Sequence, residues 1–573
     1  MKIYDTLSTP YADDIRDIPW DCYPRPQLKR DSYLCLNGQW DFRVSLLEEL
    51  PSSYYEKITV PFPPESRLSG IERRIKKEEI LYYRRYFSLP EGFNRGRVIL
   101  HFGAVDCIST LYINGKEAGE NQGGYLPFSY DITEALCQGE NEIILKVKDG
   151  TDKRYPYGKQ RERRGGMWYT PVSGIWQTVW LESLPERAIG SVRITADTHS
   201  AKIRVDAPEG VKRLTLKDSG RVYEFSGDEV EIAPEEPKLW RPETPFLYEF
   251  TLEYGEDKVE SYFALREITV GEAGGKKRLL LNGTPYFFSG LLDQGYFPDG
   301  IFLPASPRGY EEDILTAKRL GFNMLRKHIK IEPMVFYHMC DRLGMAVFQD
   351  MVNNGSYSFL LDTACPTVGI KKMPELRHKD SITREQFHRH MTGTAELLYN
   401  CPSVLEYTIF NEGWGQYKPD EAYKRLKAYD STRVLDATSG WFHGKLSDFN
   451  SRHIYFRAPV IKELDERPLF LSEFGGYSLR IEGHLFGERN YGYKLYSDKD
   501  SFRDAVEELY TKGVLPLIKD GLSASVYTQL SDVEDETNGL MTYDRRVVKI
   551  DADKMSRLNE ALYAELEKIT AEG

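Results

Sequence analysis

Two glutamates in this chain of 573 residues stand in the same kind of local sequence. Glu412 follows the apolar run 404–409, Glu473 follows the run 469–471, and glycines come after each of them. Each glutamate is therefore predicted to lie where a buried strand ends. In a parallel barrel the carboxyl ends of all strands open onto one face, so both side chains would meet there. Two carboxylates on one face can cleave a glycosidic bond, because one protonates the leaving oxygen while the other attacks or activates water.

The elements that would position these glutamates lie in residues 273–573. Eight apolar segments there alternate with amphipathic ones, a pattern that indicates βα units around a parallel sheet. The predicted strands are residues 286–288, 322–325, 345–348, 404–409, 434–437, 453–456, 469–471 and 524–528. Eight repeats in this length predict a catalytic (β/α)8 TIM barrel, with Glu412 after the fourth strand and Glu473 after the seventh. Residues 383–386 match a capping box, which predicts the start of one helix.

Two β-rich domains are predicted before the barrel. Residues 1–182 contain short strands separated by turn signals and are expected to form a jelly-roll β-sandwich. Asn37-Gly38 and Asn114-Gly115 each lie between apolar stretches, which predicts two hairpins. Residues 183–272 have strands at the intervals of one immunoglobulin-like β-sandwich. This second module carries no cluster of chemical groups, so its expected role is mechanical.

One stretch at the end of the first domain leaves two interpretations open. Residues 167–177 are dense in aromatic side chains and turn formers. Such a segment could be a loop that reaches toward an active site, or it could pack between domains. Either interpretation places it beside the barrel.

Composition and charge exclude some classes of partner. The net charge of −12 and the pI near 5.6 argue against nucleic acid, since binding a polyanion requires a basic surface. No apolar run approaches the roughly 20 residues of a membrane-spanning helix, and the first residues lack the apolar core of a signal peptide. We therefore expect a cytoplasmic protein without a membrane partner. A homo-oligomer is possible, but the sequence does not reveal an interface.

The order of short motifs along the chain resembles glycoside hydrolase family 2, the β-galactosidase, β-glucuronidase and β-mannosidase group. The motifs are residues 36–40, 102–106, 171–177, 239–243, 325–328, 348–351, 411–412, 472–475 and 527–529. The resemblance covers nearly the whole chain and implies a sugar-binding type of first sandwich. It also implies a mechanism with retention, in which Glu412 is the acid/base, Glu473 is the nucleophile and Asn411 binds the sugar 2-hydroxyl.

Other residues near the predicted strand ends are candidate substrate ligands. Hydrogen-bond donors are expected around Glu473 to keep it ionised, and Tyr455 and Arg326 are the candidates. His328 and His453 are each either a sugar contact or a structural partner, and Asp350 is either a sugar ligand or the partner of a barrel arginine. Trp414 is either a stacking platform or a core residue, and its flanking glycines favour exposure. Gln529 is a candidate polar contact. No metal-ligand cluster was identified, and the mechanism requires no cofactor.

The resemblance specifies the type of reaction more closely than it specifies the substrate. β-Glucuronidases of the family carry an Asn-x-Lys motif whose lysine pairs with the substrate carboxylate. The corresponding stretch, residues 536–545, lacks the motif and has Glu536, which would repel a uronate. We therefore expect an exo-acting enzyme for a neutral sugar, with β-galactoside as first choice and α-L-arabinopyranoside next; β-glucuronide and β-mannoside stay open. An inverting hydrolase and a non-catalytic carbohydrate-binding protein are the alternatives.

Overall fold

The first domain is a β-sandwich of two antiparallel sheets. The structure is a computed structural model that describes residues 7–150, 152–367, 378 and 380–571. The four-stranded sheet contains Tyr33–Cys35, Val179–Pro185, Gly96–Phe102 and Phe128–Asp131. The six-stranded sheet contains Glu56–Val60, Gly38–Ser45, Ile80–Ser88, Glu140–Lys148, Ile108–Ile113 and Lys116–Gln122. A further pair joins Gly174–Ile175 to Val105–Asp106.

One of the two predicted hairpins in this sandwich is confirmed and the other is wrong. Asn114 and Gly115 have φ of 51° and 77° and join Ile108–Ile113 to Lys116–Gln122, as a tight turn requires. Asn37 instead connects strands of two different sheets. Its buried amide accepts a hydrogen bond from the Val179 amide at 3.0 Å, so it ties the sheets together rather than turning a hairpin.

The second domain is a smaller sandwich with seven strands. One sheet contains Ser191–Ala196, Ala201–Asp206 and Glu229–Ile232; the other contains Val222–Phe225, Lys212–Leu216, Tyr248–Tyr254 and Asp257–Phe263. A three-stranded sheet then follows, made of Ile268–Ala273, Lys276–Leu281 and Thr284–Pro285. The predicted boundary at residue 272 falls within the first of these strands. The domain limits 1–182, 183–272 and 273–573 stay a prediction.

The third domain is a barrel of eight parallel strands, which confirms the predicted fold class. The strands are β1 (Phe288–Asp293), β2 (Met324–Lys327), β3 (Ala346–Asp350), β4 (Val404–Asn411), β5 (Val434–Ser439), β6 (Asn450–Tyr455), β7 (Leu469–Gly475) and β8 (Leu522–Thr528). Their order in the sheet is β5-β4-β3-β2-β1-β8-β7-β6. The barrel is therefore hydrogen-bonded through every neighbouring pair except β5 and β6. A small additional sheet pairs Tyr477–Leu479 with Lys494–Tyr496.

Helices surround the barrel. The α-helices are Arg308–Arg319, Met334–Leu343, Cys365–Thr367, Ser381–Leu398, Pro419–Tyr429, Lys499–Glu508 and Ala552–Ala571. Short 3-10 or π turns are Ala12–Asp14, Arg67–Ser69, Thr133–Ala135, Phe359–Ala364, Leu509–Val514 and Leu515–Asp520. The capping box predicted at residues 383–386 is wrong by one turn. The helix begins at Ser381, and its N-cap is Asp380, whose carboxylate accepts from the Thr383 amide at 2.8 Å.

The interior of the barrel changes character from one end to the other. Near its amino-terminal end, Phe288, Phe348 and Phe470 pack with Leu279 and Leu281 of the three-stranded sheet in one buried apolar cluster. This packing closes that end by hydrophobic burial. Polar and charged side chains are thereby concentrated toward the carboxyl ends of the strands.

Candidate active site

Glu412 and Glu473 meet at the carboxyl-terminal end of the barrel. Glu412 directly follows β4 in a left-handed conformation with φ of 53°, and its amide donates to the Ser439 carbonyl at 3.0 Å. Glu473 lies within β7, which runs further than the predicted segment 469–471. One carboxylate oxygen of each glutamate and one ring nitrogen of His453 all lie within 4.8 Å of one another. The fold thus brings together the two carboxylates singled out in the sequence.

His453 connects the two glutamates. Its Nδ1 lies 2.8 Å from Glu412 Oε1, and its Nε2 lies 3.6 Å from Glu473 Oε1. The same Nε2 is 2.8 Å from Ser439 Oγ, which anchors the ring from the end of β5. Because β5 and β6 form no ladder with each other, this side-chain contact bridges them. His453 is therefore a positioning residue for both carboxylates in the structure.

Arg326 is fully buried beneath the nucleophile candidate. Its guanidinium donates to Glu473 Oε1 at 3.0 Å, to both carboxylate oxygens of Asp350 at 2.9 and 3.1 Å, and to Asn411 Oδ1 at 3.0 Å. The Tyr455 hydroxyl donates to the second oxygen of Glu473. These are the two donors expected around Glu473 from the sequence.

The charges in this cluster favour an ionised Glu473. Burial by itself raises the pKa of Glu473, but the neighbouring His453 ring and Arg326 guanidinium outweigh burial and lower it. The Tyr455 hydrogen bond acts in the same direction. A carboxylate with a lowered pKa is present as the anion near neutral pH, which is the state a nucleophile needs.

His328 and Asp350 form a second pair at the ends of β2 and β3. His328 Nδ1 lies 2.6 Å from Asp350 Oδ2. Burial lowers the pKa of His328 in spite of this carboxylate. Asp350 therefore pairs with the barrel arginine, one of the two roles considered for it, and also orients His328.

Asn411 has its amide orientation fixed by Arg326. Because the amide oxygen accepts from the guanidinium, the amide nitrogen is the group that can donate to a ligand. Asn411 is the last residue of β4 and precedes Glu412. The amide nitrogen beside Glu412 is therefore available to donate to a hydroxyl group of a ligand.

Trp414 does not have the exposure that its flanking glycines favoured. Only 2% of its surface is accessible, and its indole nitrogen donates to the Gly355 carbonyl at 3.3 Å. It packs edge-on against Tyr157 and Trp168 of the first sandwich, at ring-centre distances of 5.2 and 5.1 Å. The expectation of exposure was wrong because the covering side chains come from another domain.

Gln529 follows β8 and is fully buried. Its amide nitrogen donates to Asn538 Oδ1 at 2.9 Å, and its amide oxygen accepts from Gln294 at 2.9 Å. Both ends of the side chain are thus used within the protein. This arrangement positions the loop after β8 and leaves a sugar contact of Gln529 as a prediction.

Several residues around the cluster were not named from the sequence. Tyr493 stacks on Tyr455 with ring centres 3.8 Å apart and planes inclined by 9°. Trp441 packs edge-on against His453 at 5.6 Å. Trp441 comes shortly after the predicted strand 434–437, and an aromatic residue at that place was a signal that could have found it. Tyr493 lies far from any predicted strand end, so no local signal indicated it.

The segment 167–177 touches the loops at the barrel mouth. The Thr170 amide donates to Glu534 Oε1 at 2.9 Å, and the Tyr169 hydroxyl donates to Glu536. Trp168 packs against Tyr357 at 5.0 Å. The segment therefore packs between domains, and it does so at the edge of the site.

The three groups Glu412, His453 and Glu473 are also near enough to share a cation. Both oxygens of Glu473 already accept hydrogen bonds, from Arg326 and from Tyr455. A cation there would lie close to the Arg326 guanidinium and would be repelled by it. The cluster thus suits a ligand with hydroxyl groups better than a metal ion.

A separate property of the described residues is that none of their helices is both long and apolar enough to span a membrane.

Comparison with known proteins matches the two N-terminal domains to one family. The family model described as glycosyl hydrolases family 2, sugar binding domain, matches residues 71–185. The model described as glycosyl hydrolases family 2 matches residues 175–266. A β-galactosidase of Thermoanaerobacter pseudethanolicus is 26% identical over 297 residues, which are 48% of this chain and 39% of that protein. The chain spans only about two fifths of the length of such curated relatives.

Solved structures share the fold over almost the whole chain. The β-D-glucuronidase of Dictyoglomus thermophilum superposes with a TM-score of 0.73 at 18% identity, over 94% of this chain and 98% of that one. A GH2 β-galacturonidase of Eisenbergiella tayi superposes with a TM-score of 0.70 at 18% identity, over 95% and 99% of the two chains. At this identity the likeness establishes the fold. The two matched segments, residues 71–185 and 175–266, are domains of the kind found in glycoside hydrolase family 2, the family that the sequence motifs resemble.

Proposed function

We propose that this protein is a retaining, exo-acting glycoside hydrolase that works through a covalent glycosyl-enzyme intermediate. The observation that carries the proposal is the approach of Glu412 and Glu473 to within 4.8 Å around His453. Retaining enzymes have carboxyl groups about 5 Å apart, whereas inverting enzymes need about 6.5–9.5 Å to hold a water between them. The separation therefore favours retention over inversion.

Each residue of the cluster then has a chemical role. Glu473 attacks the anomeric carbon, the bond from that carbon to the leaving oxygen breaks, and Glu412 gives its proton to that oxygen. Glu412, now ionised, takes a proton from water; the water oxygen attacks the anomeric carbon and releases Glu473. Arg326 and Tyr455 hold the nucleophile as an anion before each turnover. The Asn411 amide nitrogen donates to the 2-hydroxyl.

The proposed substrate has a neutral terminal sugar, with β-galactoside as first choice. Glu536 supports this choice, because a buried carboxylate after β8 disfavours a second carboxylate on the sugar. Burial raises the pKa of Glu536, although the Tyr169 hydroxyl and the charge of Lys159 oppose that shift. The curated relatives named β-galactosidase agree with this choice. A uronide is the second candidate, since the solved structures of the same fold include a β-glucuronidase and a β-galacturonidase.

The test is hydrolysis of a panel of nitrophenyl glycosides: β-galactoside, α-L-arabinopyranoside, β-glucuronide, β-galacturonide, β-mannoside and β-glucoside. Glu473→Gln is the inactive reference, and Glu466→Gln, which changes an exposed glutamate, is the matched control. We expect release of nitrophenol from the galactoside, unchanged in the control and absent in Glu473→Gln. Activity confined to the uronides would replace the neutral sugar by the second candidate. Sugar binding without hydrolysis of any member would favour a carbohydrate-binding protein.

A further inference from the structure

Lys159 of the first sandwich is a mostly buried lysine without a counter-ion among the described residues. Only 8% of the residue is exposed. In the part of the chain that the structure describes, it forms no ion pair at an N···O distance of 4.0 Å or less. Its Nζ is not among the enclosed side-chain nitrogens and oxygens of the described residues that lack a hydrogen-bond partner, so the stem is buried while the ammonium group stays open to a ligand. A side chain in this state suggests that a ligand supplies the missing contact.

The backbone on both sides of Lys159 fixes it at the barrel mouth. The Gly158 amide donates to the carbonyl of Asn353, which follows β3. A Cβ on Gly158 would lie 3.0 Å from the carbonyl oxygen of Ile329, which follows β2, so the two backbones are in close contact. The Lys159 carbonyl accepts from the Tyr169 amide at 2.9 Å. Lys159 is thereby held over the ends of β2 and β3.

The neighbouring residue shows which way the Lys159 side chain extends. The Gln160 amide nitrogen donates to Asp106 at 3.0 Å, inside the sandwich. Lys159 lies in a turn, and the position of its ammonium group shows that the side chain extends the other way, toward the barrel. Its Nζ lies 6.0 Å from the centre of the Trp168 ring, and that ring packs on Trp414, two residues after Glu412. The ammonium group therefore lies at the edge of the candidate active site.

Glu536 approaches the same space from the other side. Its two oxygens accept from the Tyr169 hydroxyl and from Asn538 Nδ2. The charge of Lys159 contributes to the pKa of both Glu536 and His328, which places the ammonium between β2 and the loop after β8. The carboxylate of Glu536 is nevertheless too far away for an ion pair. A hydroxyl group fits the gap between the Lys159 ammonium group and the Glu536 carboxylate, because its oxygen can accept a hydrogen bond from the first and donate one to the second.

We propose that Lys159 and Glu536 together bind one hydroxyl of the terminal sugar, with Lys159 donating to that hydroxyl and Glu536 accepting from it. The opposite charges of the two groups cancel, so the site favours a neutral hydroxyl over a carboxylate. Asn411 ends β4 and Glu536 follows β8, and these strands lie across the barrel from each other. The hydroxyl is therefore on the edge of the sugar away from C2, at C4 or C6. This assignment rests on the proposed glycosidase function and makes the first sandwich part of the specificity site.

The test compares Lys159→Met with the wild type on the parent β-galactoside and on its 4-deoxy and 6-deoxy analogues. Loss of a charged hydrogen bond predicts a fall in kcat/KM of about 10- to 100-fold on the parent. On the analogue that lacks the bound hydroxyl, the same substitution should change kcat/KM by less than about threefold. Lys153→Met, which changes an exposed lysine of the same segment, should behave as wild type throughout. An equal penalty on the parent and on both analogues would overturn the assignment.

Two further readouts separate the alternatives. Lys159→Met keeps the buried length of the side chain and removes only the ammonium group, so its Tm should stay close to that of the wild type. A lower Tm with an equal loss on every substrate would mean that Lys159 is structural. If Lys159→Met loses activity on a uronide but retains it on the galactoside, Lys159 binds the carboxylate of the uronide. If the wild type hydrolyses no glycoside, the proposed function fails. Calorimetric binding of galactose and its deoxy analogues to wild type and Lys159→Met then tests the hydroxyl contact by itself.

Discussion

Two adjacent residues of β2 serve two buried charge clusters of different kinds. Arg326 points into the barrel, where it contacts Asp350 and Glu473. Lys327 points outward, because side chains alternate along a strand, and it contacts Asp293 at 2.8 Å and Glu332 at 2.5 Å. Both cations are completely buried. Burial of charge therefore does not distinguish the candidate active site, around Arg326, from the neighbouring cluster around Lys327.

The balance of charges does distinguish them. In the outward cluster, Lys327 and Lys330 face Asp293 and Glu332, and Glu332 accepts from both lysines and from the Tyr310 hydroxyl. Each carboxylate there is neutralised and saturated with donors. In the inward cluster, three carboxylates share one permanent cation, Arg326, and two histidines. An excess of titratable groups over fixed counter-charge leaves protons to move, which is what acid–base chemistry needs.

The largest expected effect is on turnover, from Glu473→Gln. The amide cannot attack the anomeric carbon, so kcat should fall by at least about 10⁴-fold with no gross change in fold. Steady-state hydrolysis of the nitrophenyl galactoside, with circular dichroism as a check on folding, measures it. Residual activity within tenfold of the wild type would remove Glu473 from the nucleophile role.

In the balanced cluster the main effect should be on stability, from Lys327→Met. Removing one partner leaves Asp293 and Glu332 buried with less counter-charge, which costs about 3–5 kcal/mol of unfolding free energy. The kcat of the protein that remains folded should stay within about threefold of the wild type. Urea unfolding monitored by tryptophan fluorescence, alongside active-site titration, separates the two quantities. An intact Tm with lost kcat would erase the distinction between the clusters.

Arg326→Met should shift the acid limb of the pH–rate profile. Glu473 attacks only as the anion; burial raises its pKa, while His453 and Arg326 more than offset burial. Without the guanidinium the pKa of Glu473 rises, so activity is lost at a higher pH than in the wild type, by about one unit or more. The profile of kcat/KM from pH 3 to 8 measures the shift, with exposed Arg163→Met as control. An unmoved acid limb would mean that Arg326 does not set the ionisation of the nucleophile.

The smallest of these effects concerns one substrate hydroxyl, through Asn411→Ala. Loss of its donated neutral hydrogen bond should lower kcat/KM by about 2- to 12-fold on the parent glycoside. On a 2-deoxy glycoside the same substitution should be nearly silent. If the 2-deoxy substrate suffers the full penalty, Asn411 does not bind the 2-hydroxyl and acts only through Arg326.

Local sequence was sufficient to predict the barrel and the positions of its two glutamates, Glu412 and Glu473. All eight predicted segments overlap observed strands, because each combines an apolar run with a nearby turn signal. Glu412 and Glu473 were identifiable because strand order alone places strand ends on one face. The position of Arg326 beneath Glu473 also follows from its place at the end of a strand.

What the sequence did not predict depends on contacts between distant segments. Trp414 has glycine neighbours that suggest exposure, yet Trp168, in another domain, covers it. Asn37 has the sequence of a hairpin turn, but its partner Val179 lies far along the chain in the other sheet. Lys159 carries no local signal at all. Its isolation becomes visible only when the sandwich is placed against the barrel.

The central claim is that Glu473 is the nucleophile of a retaining pair, and covalent trapping tests it most directly. A 2-deoxy-2-fluoro-β-galactosyl fluoride should inactivate the enzyme with time, and mass spectrometry of the digested protein should locate one fluorogalactosyl group on Glu473. Glu473→Gln should remain unlabelled. Labelling of Glu412 instead, or efficient hydrolysis of the galactoside with inversion at the anomeric carbon and no trapped adduct, would contradict the account.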